Sequence, residues 1–175
     1  MQFNVAGLLK GPVGFTQKAS LDERDVGFDG AYAHHLRGRV QLTQVNGGVW
    51  ATGDLTAGVT SICSRCLQCC ETDLHIYFDQ TYYPMTDIFA GAPVSLPGDA
   101  EPEFLIDPHH TLDLSEAIRQ SIIVSLPSKP LCNKSCAGLC PGCGSNLNES
   151  SCTCREAPMD GRWEPLLSTF SRDHN

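Results

Sequence analysis

The sequence predicts an α+β fold: an antiparallel β-sheet over the N-terminal part, one packing helix, and a cysteine-rich C-terminal tract. Three observations predict it. Long segments between residues 32 and 83 alternate polar and apolar positions. One amphipathic stretch begins at Asp113. Ten cysteines occur in 175 residues, six of them crowded into Cys132, Cys136, Cys140, Cys143, Cys152 and Cys154.

Residues 2–9 alternate loosely and read as a strand closed by Gly11-Pro12. Residues 20–30 carry Asp22, Glu23, Asp25 and Asp29 and read as an exposed loop. From Tyr32 to Val45 a long alternating strand follows. Asn46-Gly47-Gly48 is a hairpin signal because these residues tolerate positive φ. Val49 to Leu55 is the returning strand, and 56–62 leads into Cys63-Ser64-Arg65-Cys66. Residues 71–83 alternate again and leave that turn as another strand. Residues 84–103 hold four prolines and read as a loop without regular structure, with a short strand at Phe104-Leu105-Ile106.

The helix is expected over 113–126. Asp113 can cap the free N–H groups of its first turn, with Glu116 three residues on in a capping-box arrangement. Leu114, Ala117, Ile118 and Ile122 form its apolar stripe, and Pro127 ends it. Arg162-Trp163-Glu164-Pro165-Leu166-Leu167 reads as one docking turn in the tail. The expected organisation is sheet plus helix over residues 1–126, with a zinc-binding tail over 127–175 docked on the same domain.

The net charge is -8. Residues 1–116 hold 15 acidic against 6 basic side chains, and residues 117–175 hold 5 against 6. Such a chain is no general polyanion binder, so nucleic-acid contact must be local or made through a protein. Met1-Gln2-Phe3-Asn4-Val5 has neither a basic nor an apolar leader segment, and no apolar run reaches membrane-spanning length. The cytoplasm is the expected location. Thiols stay reduced there, so this cysteine density points to zinc rather than disulfides.

C-x2-C suits zinc because its tight turn aims two sulfurs at one ion, with Zn–S roughly 2.3 Å. Cys140-Pro141-Gly142-Cys143-Gly144 adds a glycine whose positive φ lets turn N–H groups face the sulfurs. The first C-x2-C is Cys63 with Cys66. Two partitions are open. In one, Cys140, Cys143, Cys152 and Cys154 form a site, and Cys63, Cys66, Cys132 and Cys136 form another. In the second, Cys63 and Cys66 join Cys140 and Cys143. Cys69 and Cys70 begin a strand, so one should face inward and one outward, without ligand roles. His34-His35 and His109-His110 read as solvated or hydrogen-bonded, while Asp107 and Asp113 read as turn and cap residues. No phosphate loop, nucleophile elbow or HExxH motif is present, and all-cysteine sites are closed to substrate. No enzyme activity is expected.

Cys63-Ser64-Arg65-Cys66-Leu67, Leu112-Asp113-Leu114-Ser115-Glu116 and Leu126-Pro127-Ser128-Lys129-Pro130-Leu131-Cys132 resemble the YceD family, the large ribosomal RNA subunit accumulation proteins. So do Cys136 to Gly144, Asn146-Leu147-Asn148-Glu149, Cys152-Thr153-Cys154 and Arg162-Trp163. The resemblance implies a non-enzymatic factor supporting large-subunit ribosomal RNA accumulation and ribosome assembly, with one or two structural zinc ions. Some family members lack the Cys140–Cys154 cluster but keep the pair matching Cys63 and Cys66, with a Cys or His near Cys132 and Cys136, which favours the first partition. The implied partner is the pre-ribosomal large subunit, through RNA or a ribosomal protein, with no membrane and no small-molecule substrate. Arg65, Lys129, Lys134, Arg155 and Arg162 are the candidate contacts. The alternative is a redox- or zinc-responsive protein-interaction module.

Overall fold

The computed structural model describes residues 1–28, 31–98 and 100–154. Four long strands form its frame: β2 (Thr16–Phe28), β3 (Ala31–Val45), β4 (Gly48–Ile62) and β5 (Cys69–Pro84). They pair antiparallel in chain order. A two-residue turn, Asn46-Gly47, joins β3 to β4, since Val45 pairs directly with Gly48. The short β6 (Leu105–Ile106) then adds parallel to the end of β5. The sheet is therefore antiparallel only in part. A separate two-stranded sheet pairs β1 (Gln2–Asn4) with β7 (Thr111–Asp113).

The short helix α1 covers Ala6–Leu9 and α2 covers Ser115–Ser125. The stripe Ala117, Ile118 and Ile122 of α2 is buried and packs across β5. It meets Leu36, Leu55, Ile76 and Tyr82 from the inner face of the long strands in one core. Leu126, already extended before Pro127, terminates the helix. No helix among the described residues is long and apolar enough to cross a membrane.

Three expectations are corrected. Residues 20–30 are not a loop: through Phe28 they are the edge strand β2. Most of the described β2 side chains are exposed, with Leu21 buried and Ala19 and Val26 half-buried. An edge strand so exposed shows no alternation, and its conformation is imposed by the ladder to β3. The strand expected over 2–9 stops at Asn4, whose Oδ1 accepts the N–H of Ala6. Val5, Leu8 and Leu9 follow at helical spacing and enter the core. The packing helix starts at Ser115, because Asp113 pairs with Gln2 in β7. Asp113 Oδ1 still accepts the Ser115 N–H, at 2.9 Å. Glu116 does not reach back to close a capping box. It pairs forward with Arg119, Nη2 to Oε1 2.6 Å. The tail turn at 162–167 lies outside the described residues.

Candidate metal centres

Both C-x2-C motifs are six-residue loops that close an antiparallel pair, and their backbones match bond for bond. The first loop joins β4 to β5, between paired Ile62 and Cys69. Cys63 N–H donates to Gln68 O at 2.8 Å, and Leu67 N–H to Cys63 O at 2.9 Å. The second lies between bridged Leu139 and Asn146. Cys140 N–H donates to Ser145 O at 2.8 Å, and Gly144 N–H to Cys140 O at 2.9 Å. In each loop the residue after the second cysteine has positive φ: 60° at Leu67 and 73° at Gly144. Within each turn, an N–H before the second cysteine also faces the first sulfur. Arg65 N lies 3.5 Å from Cys63 Sγ and Gly142 N 3.4 Å from Cys140 Sγ.

Around these loops the eight cysteines gather into two groups, Cys63, Cys66, Cys132 and Cys136, and Cys140, Cys143, Cys152 and Cys154. The sulfurs of each group lie within 4.8 Å of one another. This is the first of the two partitions. In the first group Cys66 and Cys132 sulfurs are 3.6 Å apart, and Cys63 and Cys136 sulfurs 3.9 Å. Asn148 Nδ2 donates to Cys136 Sγ at 3.3 Å, while its Oδ1 accepts the Ala137 N–H. Cys63, Cys66 and Cys136 are buried, against Leu131, Leu139 and half-buried Cys70. Cys143 and Cys154 of the second group are exposed. Cys69 faces solvent, so the inward-outward split of this pair is as expected.

The donor set fits a metal ion. Backbone N–H groups of Cys66, Cys132 and Arg65 lower the Cys63 thiol to about 6. The Cys143 N–H, the Cys152 thiol and the Gly142 N–H lower Cys140 to about 6. Hydrogen bonds to Cys66 and Cys136 push Cys132 up to about 12, and those to Cys143 and Cys140 push Cys154 up to about 12. Four close sulfurs cannot all ionise on their own, so Cys63 and Cys140 are lowered while Cys66, Cys132, Cys152 and Cys154 are raised. A soft or borderline cation would remove that conflict and make all four thiolates.

One sequence reading shifts. Arg65 does not project freely as a contact residue. Its Nη1 donates to Cys136 O at 2.8 Å and ties the first loop to the segment bearing Cys136. Gly138, at φ 79°, allows this approach, since a Cβ there would lie 3.3 Å from Arg65 O. Lys129 and Lys134 are exposed beside the first group, and Arg155 and Arg162 lie outside the described residues. Neither histidine pair joins a metal-ligand group among the described residues. His34 bonds Thr60, and His35 Nε2 lies 3.6 Å from Asp73 Oδ1. Sequence reasoning missed Asn148 and Gln68. Gln68 Nε2 donates to Glu149 Oε1, tying the first loop to the segment that follows the second.

The protein is thus a mostly β scaffold that carries two four-cysteine groups able to hold metal ions. A family model described as large ribosomal RNA subunit accumulation protein YceD matches residues 51–168. The chain belongs to the YceD family. Uncharacterized proteins of Mycobacterium bovis and Mycobacterium tuberculosis are 30% identical over 135 residues, covering 73% of this chain and 58% of theirs. A chloroplastic protein of Zea mays, large ribosomal RNA subunit accumulation protein YCED homolog 1, is 42% identical over 60 residues. That match covers 34% of this chain and 20% of the maize protein. The chain thus spans less than two thirds of the length of the curated relatives it matches. No solved structure matches it.

Proposed function

We propose that this chain is a non-enzymatic factor supporting accumulation of large-subunit ribosomal RNA, with two structural zinc ions. The observation that carries the reading is the pair of closed cysteine tetrads inside the range matched by the family model. Four thiolates fill a tetrahedral zinc and leave no position for substrate, which favours a structural rather than catalytic role. Cys63, Cys66, Cys132 and Cys136 would hold one ion, and Cys140, Cys143, Cys152 and Cys154 the other. Bound zinc would fix the β4–β5 tip against residues 130–140 and present exposed Lys129 and Lys134 at that end.

The test is sucrose-gradient sedimentation of the tagged protein from growing cells, with ultraviolet crosslinking of each fraction. Comigration with immature large-subunit particles, with crosslinks to their RNA, is the expected result. Protein confined to the top of the gradient without crosslinks would sink direct participation in assembly. It would favour a thiol-responsive interaction module, for which exposed Cys69, Cys132, Cys143 and Cys154 are the accessible thiols.

A further inference from the structure

The face of the β2–β5 sheet that points away from α2 is exposed and carries charge in an ordered pattern. The register places its residues in rows across the four strands. One row reads Lys18, Gln41, Thr52, Asp79, and the next Ser20, Arg39, Asp54, Tyr77. Two rows further on stand Arg24 on β2 and Asp73 on β5. The cations lie on β2 and β3 and most of the anions on β4 and β5. Lys18, Arg24, Arg39, Asp54 and Asp79 make no ion pair among the described residues.

We propose that this face docks onto the same face of a second copy of the chain, about a two-fold axis parallel to the strands. That operation reverses the strand order and keeps the rows aligned. β2 then lies over β5 of the second copy, and β3 over β4. Lys18 meets Asp79, Arg39 meets Asp54, and Arg24 meets Asp73, each pair occurring twice, as a self-complementary interface requires. The usual angle of about 30° between packed sheets keeps the central rows in register.

Shape agrees with charge. A depression of about 500 Å³ is lined by Lys18, Ser20, Arg39, Gln41 and Tyr77, among others. Tyr77 stands 66% exposed at the β5 end of its row, and small Ser20 occupies the β2 end. The two-fold lays each Tyr77 ring over the other copy's Ser20, where the depression receives it. Four strands about 4.8 Å apart, over nine residues at about 3.4 Å each, give about 600 Å² per copy. The total of about 1,200 Å² is at the lower bound of stable interfaces. RNA suits this face less, because Asp54, Asp73 and Asp79 would repel phosphates.

The test is sedimentation equilibrium of the full zinc-loaded chain and its charge-reversal variants. The wild type is expected to dimerise, more weakly at high salt. Lys18→Asp and Asp79→Lys are each expected to weaken the dimer by about tenfold or more, and the double variant to recover most of that loss. These surface positions leave the core untouched, so circular dichroism should be unchanged. A chain that stays monomeric at every accessible concentration overturns the proposal, as does a double variant as impaired as the singles. Monomers that bind single-stranded RNA, and lose it with Lys18→Asp, would overturn it too and assign the face to RNA.

Discussion

Removing one ligand from each cysteine group should have unequal effects, for a reason visible in the chain path. The first group ties residues far apart: Cys66 and Cys132 are 66 positions from each other. The second is local, with Cys140 and Cys152 only 12 apart. On the chain-entropy model, a cross-link closing 66 positions restricts the unfolded chain by about 4 kcal/mol, and one closing 12 by about 3 kcal/mol. With a metal bound, the long-range cross-link would act on the whole fold, because it would join the β4–β5 hairpin to the segment following α2. The local one acts within residues 140–154, which contribute none of the long strands, so its loss opens that loop alone. Cys66→Ser is therefore expected to lower global stability by most of the roughly 4 kcal/mol that the long-range cross-link supplies, and Cys143→Ser by little. Urea unfolding followed by the strand signal in circular dichroism, with zinc content by mass spectrometry, measures both. Each variant should keep one zinc. Equal losses of global stability, or a sheet that weakens only with Cys143→Ser, would refute the reasoning.

Arg65→Ala should cost about 1 kcal/mol, the value of a partly exposed charged hydrogen bond to a carbonyl. It should also speed zinc transfer to a colorimetric chelator, and unchanged transfer would show that the tie to Cys136 O is idle. Leu67 is 63% exposed in a conformation that favours glycine. Leu67→Gly should therefore stabilise the chain by about 0.5–1 kcal/mol in thermal unfolding, after its extra unfolded-state freedom is counted.

Local chemistry was legible. The Asn46-Gly47 turn, the α2 stripe and the cysteine loops each depend on residues a few positions apart, and each is where the sequence places it. Part of the candidate site was legible on the same grounds. C-x2-C with positive φ after the second cysteine is a turn of six residues, complete in itself. The supporting side chains were not. Gln68 and Asn148 are ordinary polar residues until the fold brings them to Glu149 and Cys136.

Which thiols could be ligands, where the chain must turn, and which helix face is apolar all follow from spacing along the chain. The rest was set by tertiary pairing. It drew the acidic segment after Thr16 into an edge strand through hydrogen bonds to β3. It chose between two partitions of eight cysteines, because the hairpin tip and the segment after α2 converge. It turned Arg65 from a free charge into a strut, and it aligned Lys18, Arg39, Asp54 and Asp79 in adjacent rows. These outcomes depend on pairing between residues distant in sequence, which local propensity does not encode.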